Sequence, residues 1–157
     1  MPAMNASELR GIRVLSKLTD AQLERLFSYG ELLTLPAGET IIKQGQKADA
    51  VYFLVEGKTG SFVADDTGGQ SPLRTSEAGS HFGEIGLLQN GIRTASVRSV
   101  TKCRVFRITM TSFQAILEEP ELATPLLYAL AKSMALRIAD ITHRLAEAKS
   151  IKDAWHV

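Results

Sequence analysis

Short apolar segments separated by glycine-containing turns fill the middle of the sequence and constrain its fold more than any other feature. Between residues 31 and 109 the runs ELLTL, TIIKQG, AVYFLVEG and SFVADD alternate with turn residues, and most of the 12 glycines lie between Gly38 and Gly86. Closely spaced short strands with glycine turns indicate an antiparallel sandwich or barrel. Because no long helical pattern separates the segments, a parallel βαβ sheet is disfavoured. The runs TASVRSV and KCRVFRIT close the strand region.

Helical patterns flank the strands on both sides. Residues 7–29 carry leucine and isoleucine side chains at helical spacing, and Thr19 with Gln22 predicts a capping box that starts a second helix at Asp20. We therefore expect two short N-terminal helices.

The C-terminal third is also expected to be helical. Thr111 with Gln114 predicts a capping box for a helix that Pro120 interrupts. Thr124 and Pro125 then match the N-cap and first-turn positions of a long final helix.

One apolar stripe follows this final helix for about three heptads. Its residues are Leu127, Leu130, Met134, Ile138, Ile141, Leu145 and Ala148. The opposite face is charged and carries Lys132, Arg137, Asp140, Arg144, Glu147 and Lys149. Two interpretations stay open: the stripe packs on its own domain, or it pairs two copies of the chain. We favour a homodimer, because one small domain can cover only part of so long a stripe.

The predicted fold class is mainly β with flanking helices (α+β), an antiparallel β-roll in one domain over residues 1–157. Its expected parts are N-terminal helices at about 7–30, the β-roll at 31–109 and C-terminal helices at 111–150. A chain of this length can bury a core without disulfides.

Composition narrows the function classes. The net charge of +1 gives no bulk attraction for nucleic acid or anionic membranes. The single cysteine, Cys103, excludes an internal disulfide and is expected to be a small buried residue. No secretory signal and no membrane span is recognised, so we expect a cytoplasmic protein without direct membrane insertion. His81, His143 and His156 are far apart and form no metal-ligand motif, and no catalytic constellation is found.

The segment HFGEIGLLQNGIRTASV, residues 81–97, carries the chemistry. Gly83 and Gly86 let the backbone approach a ligand closely. The guanidinium of Arg93, at the head of the next strand, can pair two phosphate oxygens, and the acceptor-only carboxylate of Glu84 suits sugar hydroxyls. The run EIGLLQ is long enough for one or two helical turns. These residues together fit a small ligand with one anion and one hydroxyl.

This segment resembles the phosphate-binding cassette of cyclic nucleotide-binding domains. FGEIGL at 82–87 and RTASV at 93–97 match the family pattern with its usual gap, and PAGETIIKQGQKADAVYFLVEG resembles the early strands. The resemblance covers about residues 10–150 and implies the β-roll of the catabolite-activator and protein kinase A regulatory subunit type. One departure is Ile92, which stands where many relatives have proline.

The resemblance also implies roles for individual residues. Arg93 would bind the cyclic phosphate, and Glu84 would accept a hydrogen bond from the ribose 2′-hydroxyl. The implied ligand-binding residues are Gly83, Glu84, Ile85, Gly86, Arg93, Thr94 and Ala95. Ile85 matches the aliphatic position that repacks when ligand enters. Thr94 does not decide between cyclic AMP and cyclic GMP.

The expected function is a non-catalytic sensor domain that binds a 3′,5′-cyclic mononucleotide, with cyclic AMP favoured over cyclic GMP and no cofactor. Alternatives are a β-roll interaction module that binds no nucleotide and a fragment of a catabolite-activator-type transcription regulator. Only seven residues follow Ser150, too few for a helix-turn-helix, so we expect no nucleic-acid partner. An enzyme of the cupin type is disfavoured by the missing metal ligands.

Two alternatives concern single residues. Arg93 and Glu84 could form a surface ion pair with each other instead of binding a ligand. Trp155 is either a lid over the base of the ligand or part of a mobile tail.

Overall fold

The computed structural model describes residues 5–155, which form eight strands between two groups of helices. Two 3₁₀ helices, Ala6–Gly11 and Arg13–Leu15, precede α1 (Asp20–Phe27). The strands are β1 (Glu31–Leu35), β2 (Thr40–Ile42), β3 (Ala50–Glu56), β4 (Lys58–Ala64), β5 (Gln70–Glu77), β6 (His81–Phe82), β7 (Ser96–Ser99) and β8 (Cys103–Thr109). Helix α2 (Glu84–Gln89) lies between β6 and β7, and α3 (Met110–Leu117) and α4 (Pro120–Trp155) follow β8.

The strands form two four-stranded sheets, ordered β1-β8-β3-β6 and β2-β7-β4-β5, and their pairings are antiparallel. One face of the first sheet packs on the helices and the other faces the second sheet. Both faces of β3 are therefore covered, which explains its unbroken burial from Ala50 to Leu54. The predicted antiparallel β-roll with N-terminal helices and a long C-terminal helix is confirmed.

Two apolar clusters correspond to these two interfaces. The first joins the helices to the outer face of the first sheet, where Phe106 stacks on Phe27 with ring centroids 5.5 Å apart. The second lies between the sheets and includes Tyr52, Leu54, Cys103 and Val105. Cys103 is fully buried there, as predicted.

The N-terminal helices follow the prediction in part. Thr19 and Gln22 form the predicted capping box, with side-chain to backbone hydrogen bonds in both directions, and α1 starts at Asp20. The segment before it is not α-helical but consists of the two 3₁₀ helices. Periodic leucines alone do not distinguish these short helix types, because both bury one face.

The start of α3 differs from the prediction. Its cap is Thr109, whose side chain accepts from the Ser112 N–H at 3.1 Å, so the predicted capping box of Thr111 and Gln114 is wrong. Strand β8 runs directly into this cap, and the chain has already turned helical at Met110. Pro120 does separate the two helices, as predicted.

The start of α4 also differs, because the helix begins at Pro120 and not at Pro125. A proline inside a helix removes the hydrogen bond to the carbonyl four residues earlier, which here belongs to Glu121. The Gln22 side chain donates to that carbonyl at 3.1 Å. This contact from α1 supplies the missing donor. Thr124 lies inside the helix and is therefore not its N-cap.

Strand β5 was not predicted, because its sequence QSPLRTSE has no apolar alternation. It pairs with β4 along its whole length and is almost entirely exposed. The turn between them is held by the Asp65 carboxylate, which accepts from the Thr67 and Gly69 backbone N–H groups. Local turn chemistry, not burial, fixes this edge hairpin.

Helix α4 is buried only near its start. Leu122, Leu126 and Leu130 pack in the first cluster, whereas residues from 138 onward are exposed.

By length and composition α4 is long and apolar enough to cross a membrane. This is weak evidence for a membrane span, because core helices of soluble proteins pass the same test. The side chain of Trp155, named above as a lid or tail residue, lies outside the described residues.

Candidate functional site

A left-handed turn at Gly83 connects β6 to the short helix α2. Gly83 has a φ of +89°, a backbone conformation that residues with a Cβ atom rarely adopt. A Cβ atom there would lie 2.9 Å from Arg93 Nη1, and one at Gly86 would lie 3.0 Å from the Ala48 Cβ. The two glycines were predicted to admit a ligand. The structure shows that they also make room for the guanidinium of Arg93.

Arg93 lies in the loop three residues before β7, so it does not head that strand as predicted. It is only 6% exposed. Its Nη1 donates to the Gly83 carbonyl at 2.9 Å, its Nη2 donates to the Ala50 carbonyl, and Asp49 lies 3.7 Å away. Burial lowers the pKa of this guanidinium, and the Asp49 carboxylate opposes that shift. The side chain is thus a buried cation held by backbone oxygens.

Glu84 is the first residue of α2 and is 2% exposed. Its Oε1 accepts from Arg137 Nη1 of α4 at 3.0 Å, and the Nε2 of His81 lies 3.6 Å from the same oxygen. Arg93 therefore does not form the surface pair with Glu84 that was considered as an alternative. Each residue is buried and has a different ionic partner.

The other predicted ligand-binding residues surround this pair. Gly86 lies in α2 beside Arg93, and Ile85 of the same helix is 46% exposed. Thr94 is exposed and Ala95 is half-buried in the loop that leads to β7. The cassette thus brings all seven residues into one turn–helix–loop unit against β3.

Three charged or polar neighbours of the site were not predicted from the sequence. Arg137 was assigned to the charged outer face of the final helix, yet it reaches Glu84. Asp49 was not considered, and His81 was weighed only as a metal ligand. The long arginine side chain explains the first omission, since its reach places the charge far from the helix face that spacing assigns. No local pattern indicated the other two.

Together, the fold and the site define a ligand-binding domain: an antiparallel β-roll with a buried cation and a buried carboxylate in one cassette. The sequence matches the family model of the cyclic nucleotide-binding domain over residues 32–120. The chain belongs to the cyclic nucleotide-binding domain family, a family of regulatory domains.

Three similar proteins illustrate this relationship. The cAMP-activated global transcriptional regulator CRP of Salmonella typhimurium is 30% identical in an alignment of 139 residues that covers 82% of this chain. The cAMP-dependent protein kinase regulatory subunit of Emericella nidulans is 32% identical over 109 residues, covering 69% of this chain and 26% of that protein. The crystal structure of the Thermus thermophilus catabolite activator protein has a TM-score of 0.70 and 28% identity, covering 86% of this chain and 63% of that one. The chain spans 66% of the length of the Salmonella regulator.

Proposed function

We propose that this chain binds a 3′,5′-cyclic mononucleotide, with cyclic AMP preferred over cyclic GMP, and acts as a non-catalytic regulatory domain. The observation that carries the proposal is the pair of buried charges, Arg93 and Glu84, in one cassette. A buried ion is costly unless it has partners, so a chain that keeps both has a use for them. The preference for cyclic AMP is supported by the two cAMP-responsive relatives named above.

Arg93 would bind the cyclic phosphate. A guanidinium has five N–H donors, and the contacts to the Gly83 and Ala50 carbonyls leave others for an anion. The two carbonyl contacts hold the planar group in place before ligand arrives. Such preorganisation reduces the entropy lost on binding.

Glu84 would accept from the ribose 2′-hydroxyl. Its contact with Arg137 joins the ligand site to α4, which is the element that would carry the signal. A ligand that interacts differently with two positions of α4 shifts their populations. Binding would thus change the position of α4, and Ile85 would repack in the same step.

We further propose that the exposed half of the α4 stripe pairs with a second copy of the chain. Ile138, Ile141 and Leu145 are 64%, 49% and 66% exposed. They follow one another at helical spacing, so the same face of a second copy is complementary by two-fold symmetry. Of the six residues expected in this seam, Leu127, Leu130, Met134, Ile138, Ile141 and Leu145, the structure places Leu130 in the first apolar cluster with Leu127 packed against it. The pairing is therefore proposed for Met134, Ile138, Ile141 and Leu145.

Calorimetric titration of the chain with cyclic AMP and with cyclic GMP tests the proposed binding. We expect saturable heat with a dissociation constant near the micromolar range, about −8 kcal/mol, and tighter binding of cyclic AMP. The matched control is 5′-AMP, which has the same base and ribose but an open phosphate. Absence of heat and of thermal stabilisation with both cyclic nucleotides at millimolar concentration would instead favour an interaction module without nucleotide binding.

A further inference from the structure

His81 is a buried histidine beside the ribose-binding carboxylate, and the proposed function gives it no role. It lies in β6, pairs with Phe53 of β3, and its ring centroid is 6.3 Å from that of Phe53. Its side chain is 8% exposed. Among residues 5–155 its Nε2 atom has no hydrogen-bond partner, although it is fully buried. Buried polar atoms without partners are rare in native proteins, so each calls for an explanation.

Burial and the surrounding charges together lower the pKa of His81 below its ordinary value. Desolvation lowers its pKa, the Glu84 carboxylate opposes that shift, and the guanidiniums of Arg137, Arg74 and Arg13 add to it. These groups come from α2, α4, β5 and the second 3₁₀ helix, so within residues 5–155 the imidazole meets one anion and three cations. A neutral imidazole that carries its proton on Nε2 can donate to a carboxylate.

The two oxygens of Glu84 have different surroundings. Arg137 and His81 both approach Oε1, at 3.0 and 3.6 Å. Oε2 accepts no hydrogen bond from residues 5–155. At 3.6 Å the His81 contact is longer than a hydrogen bond, and a small movement of the carboxylate toward β6 would close it.

We propose that His81 is a positioning residue for the ribose: its Nε2–H holds Oε1 of Glu84 in the liganded state, so that Oε2 faces the 2′-hydroxyl. Arg137 holds the same oxygen from the side of α4. A carboxylate fixed at one oxygen by two donors from different elements has little freedom to rotate, and its second oxygen is thereby aligned. Because this inference rests on the proposed function, its test must distinguish failure of the His81 role from failure of cyclic nucleotide binding itself.

The test compares cyclic AMP with 2′-deoxy cyclic AMP by calorimetry in the wild type, His81→Phe and His81→Gln. A charge-assisted hydrogen bond is worth about 1.5–3 kcal/mol, so the wild type should prefer cyclic AMP roughly 10- to 150-fold. His81→Phe keeps the ring beside Phe53 but removes the donor, and we expect the preference to fall several-fold while 2′-deoxy cyclic AMP binds as before. His81→Gln retains an N–H near the Nε2 position and should restore most of the preference. The exposed His143, changed to Gln, is the control.

Three outcomes would overturn the inference. An unchanged preference in His81→Phe would show that the imidazole does not position Glu84. An equal loss of both ligands in His81→Phe and His81→Gln would show a purely structural role. No binding of either ligand by the wild type would instead reject the proposed function, and this role with it.

A titration followed by NMR checks the geometry without any ligand. We expect the His81 ring signals to titrate below the ordinary histidine range. Glu84→Gln should lower the His81 pKa further, because it removes the one anion that stabilises the imidazolium, and Arg137→Met should raise it. A His81 pKa that is insensitive to both substitutions would contradict the contact on which the proposal rests.

Discussion

At the scale of single residues, the two charges of the cassette are held by different means. Arg93 is fixed by backbone carbonyls of Gly83 and Ala50, and Glu84 is fixed by the Arg137 side chain. The first arrangement is rigid, whereas the second depends on where α4 lies. In the proposed function the phosphate contact is therefore preformed and the ribose contact is coupled to α4.

This difference predicts a ranking of two substitutions. Arg93→Ala should weaken cyclic AMP binding by roughly 2–5 kcal/mol, because it leaves the only full charge of the ligand without its partner in a shielded site. Glu84→Ala should cost about 1.5–3 kcal/mol, because it removes one bond to a neutral hydroxyl. Calorimetry on both variants measures the ranking.

Arg98 provides the matched arginine control for this ranking. It stacks over the Phe62 ring at 4.7 Å on the second sheet, so Arg98→Ala should bind cyclic AMP like the wild type. Wild-type affinity in Arg93→Ala would remove the assignment of the cassette as a phosphate site.

At the scale of elements, the cassette depends on a turn that only glycine fits. Gly83 and Gly38 both have positive φ, at +89° and +84°. A Cβ at Gly38 would meet nothing within 4 Å, whereas one at Gly83 would lie 2.9 Å from Arg93 Nη1. An alanine at either position would therefore adopt a strained backbone conformation, but only an alanine at Gly83 would also clash with a neighbouring side chain.

Alanine substitutions at these glycines separate the two effects. The left-handed conformation costs about 1–2 kcal/mol for either alanine. Gly83→Ala should lose roughly 1–3 kcal/mol more of unfolding free energy, because its methyl group displaces the guanidinium. Urea denaturation measures this through the midpoint, provided that the slope is unchanged. Equal losses of unfolding free energy in Gly83→Ala and Gly38→Ala would mean that the Arg93 side chain moves away freely. Its contacts with the backbone carbonyls would then not hold it in place.

At the scale of the whole molecule, three layers explain why the end of α4 is unpaired. The helices cover one face of the first sheet, and the second sheet covers the other. Helix α4 has 36 residues, so it extends about 54 Å, more than a domain of this size can cover. Its apolar stripe continues beyond the covered part. Each large apolar side chain contributes roughly 1.5–3 kcal/mol when it becomes fully buried.

The proposed homodimer predicts an effect of Ile141→Glu. This change places two like charges in a two-fold seam and should convert a dimer to a monomer in sedimentation velocity while the β-roll stays folded. Ala139→Glu, on the opposite side of α4, is the control and should leave the sedimentation coefficient unchanged. A wild type that sediments as a monomer at high micromolar concentration would mean that the stripe has another role.

The sequence by itself determined the features that depend on local spacing. Glycine turns between short apolar runs indicated the antiparallel strands, Thr19 and Gln22 marked the start of α1, and the cassette motif identified the family. Each of these signals lies within a few residues of the structure it specifies. They depend on backbone conformations and caps that neighbouring residues fix on their own.

Only the tertiary structure decided which residues meet across elements. Helix α4 begins at Pro120, and the Glu121 carbonyl that Pro125 leaves without a donor accepts from a Gln22 side chain of α1, almost 100 residues earlier in the chain. The partners of Glu84 come from α4 and β6, and those of Arg93 from the Gly83 turn, β3 and the Asp49 loop. Helical spacing assigned Arg137 to a solvent-facing surface, but its long side chain reaches the buried Glu84 of the cassette. Side-chain partners at such separations depend on how layers pack, and no local pattern encodes that packing.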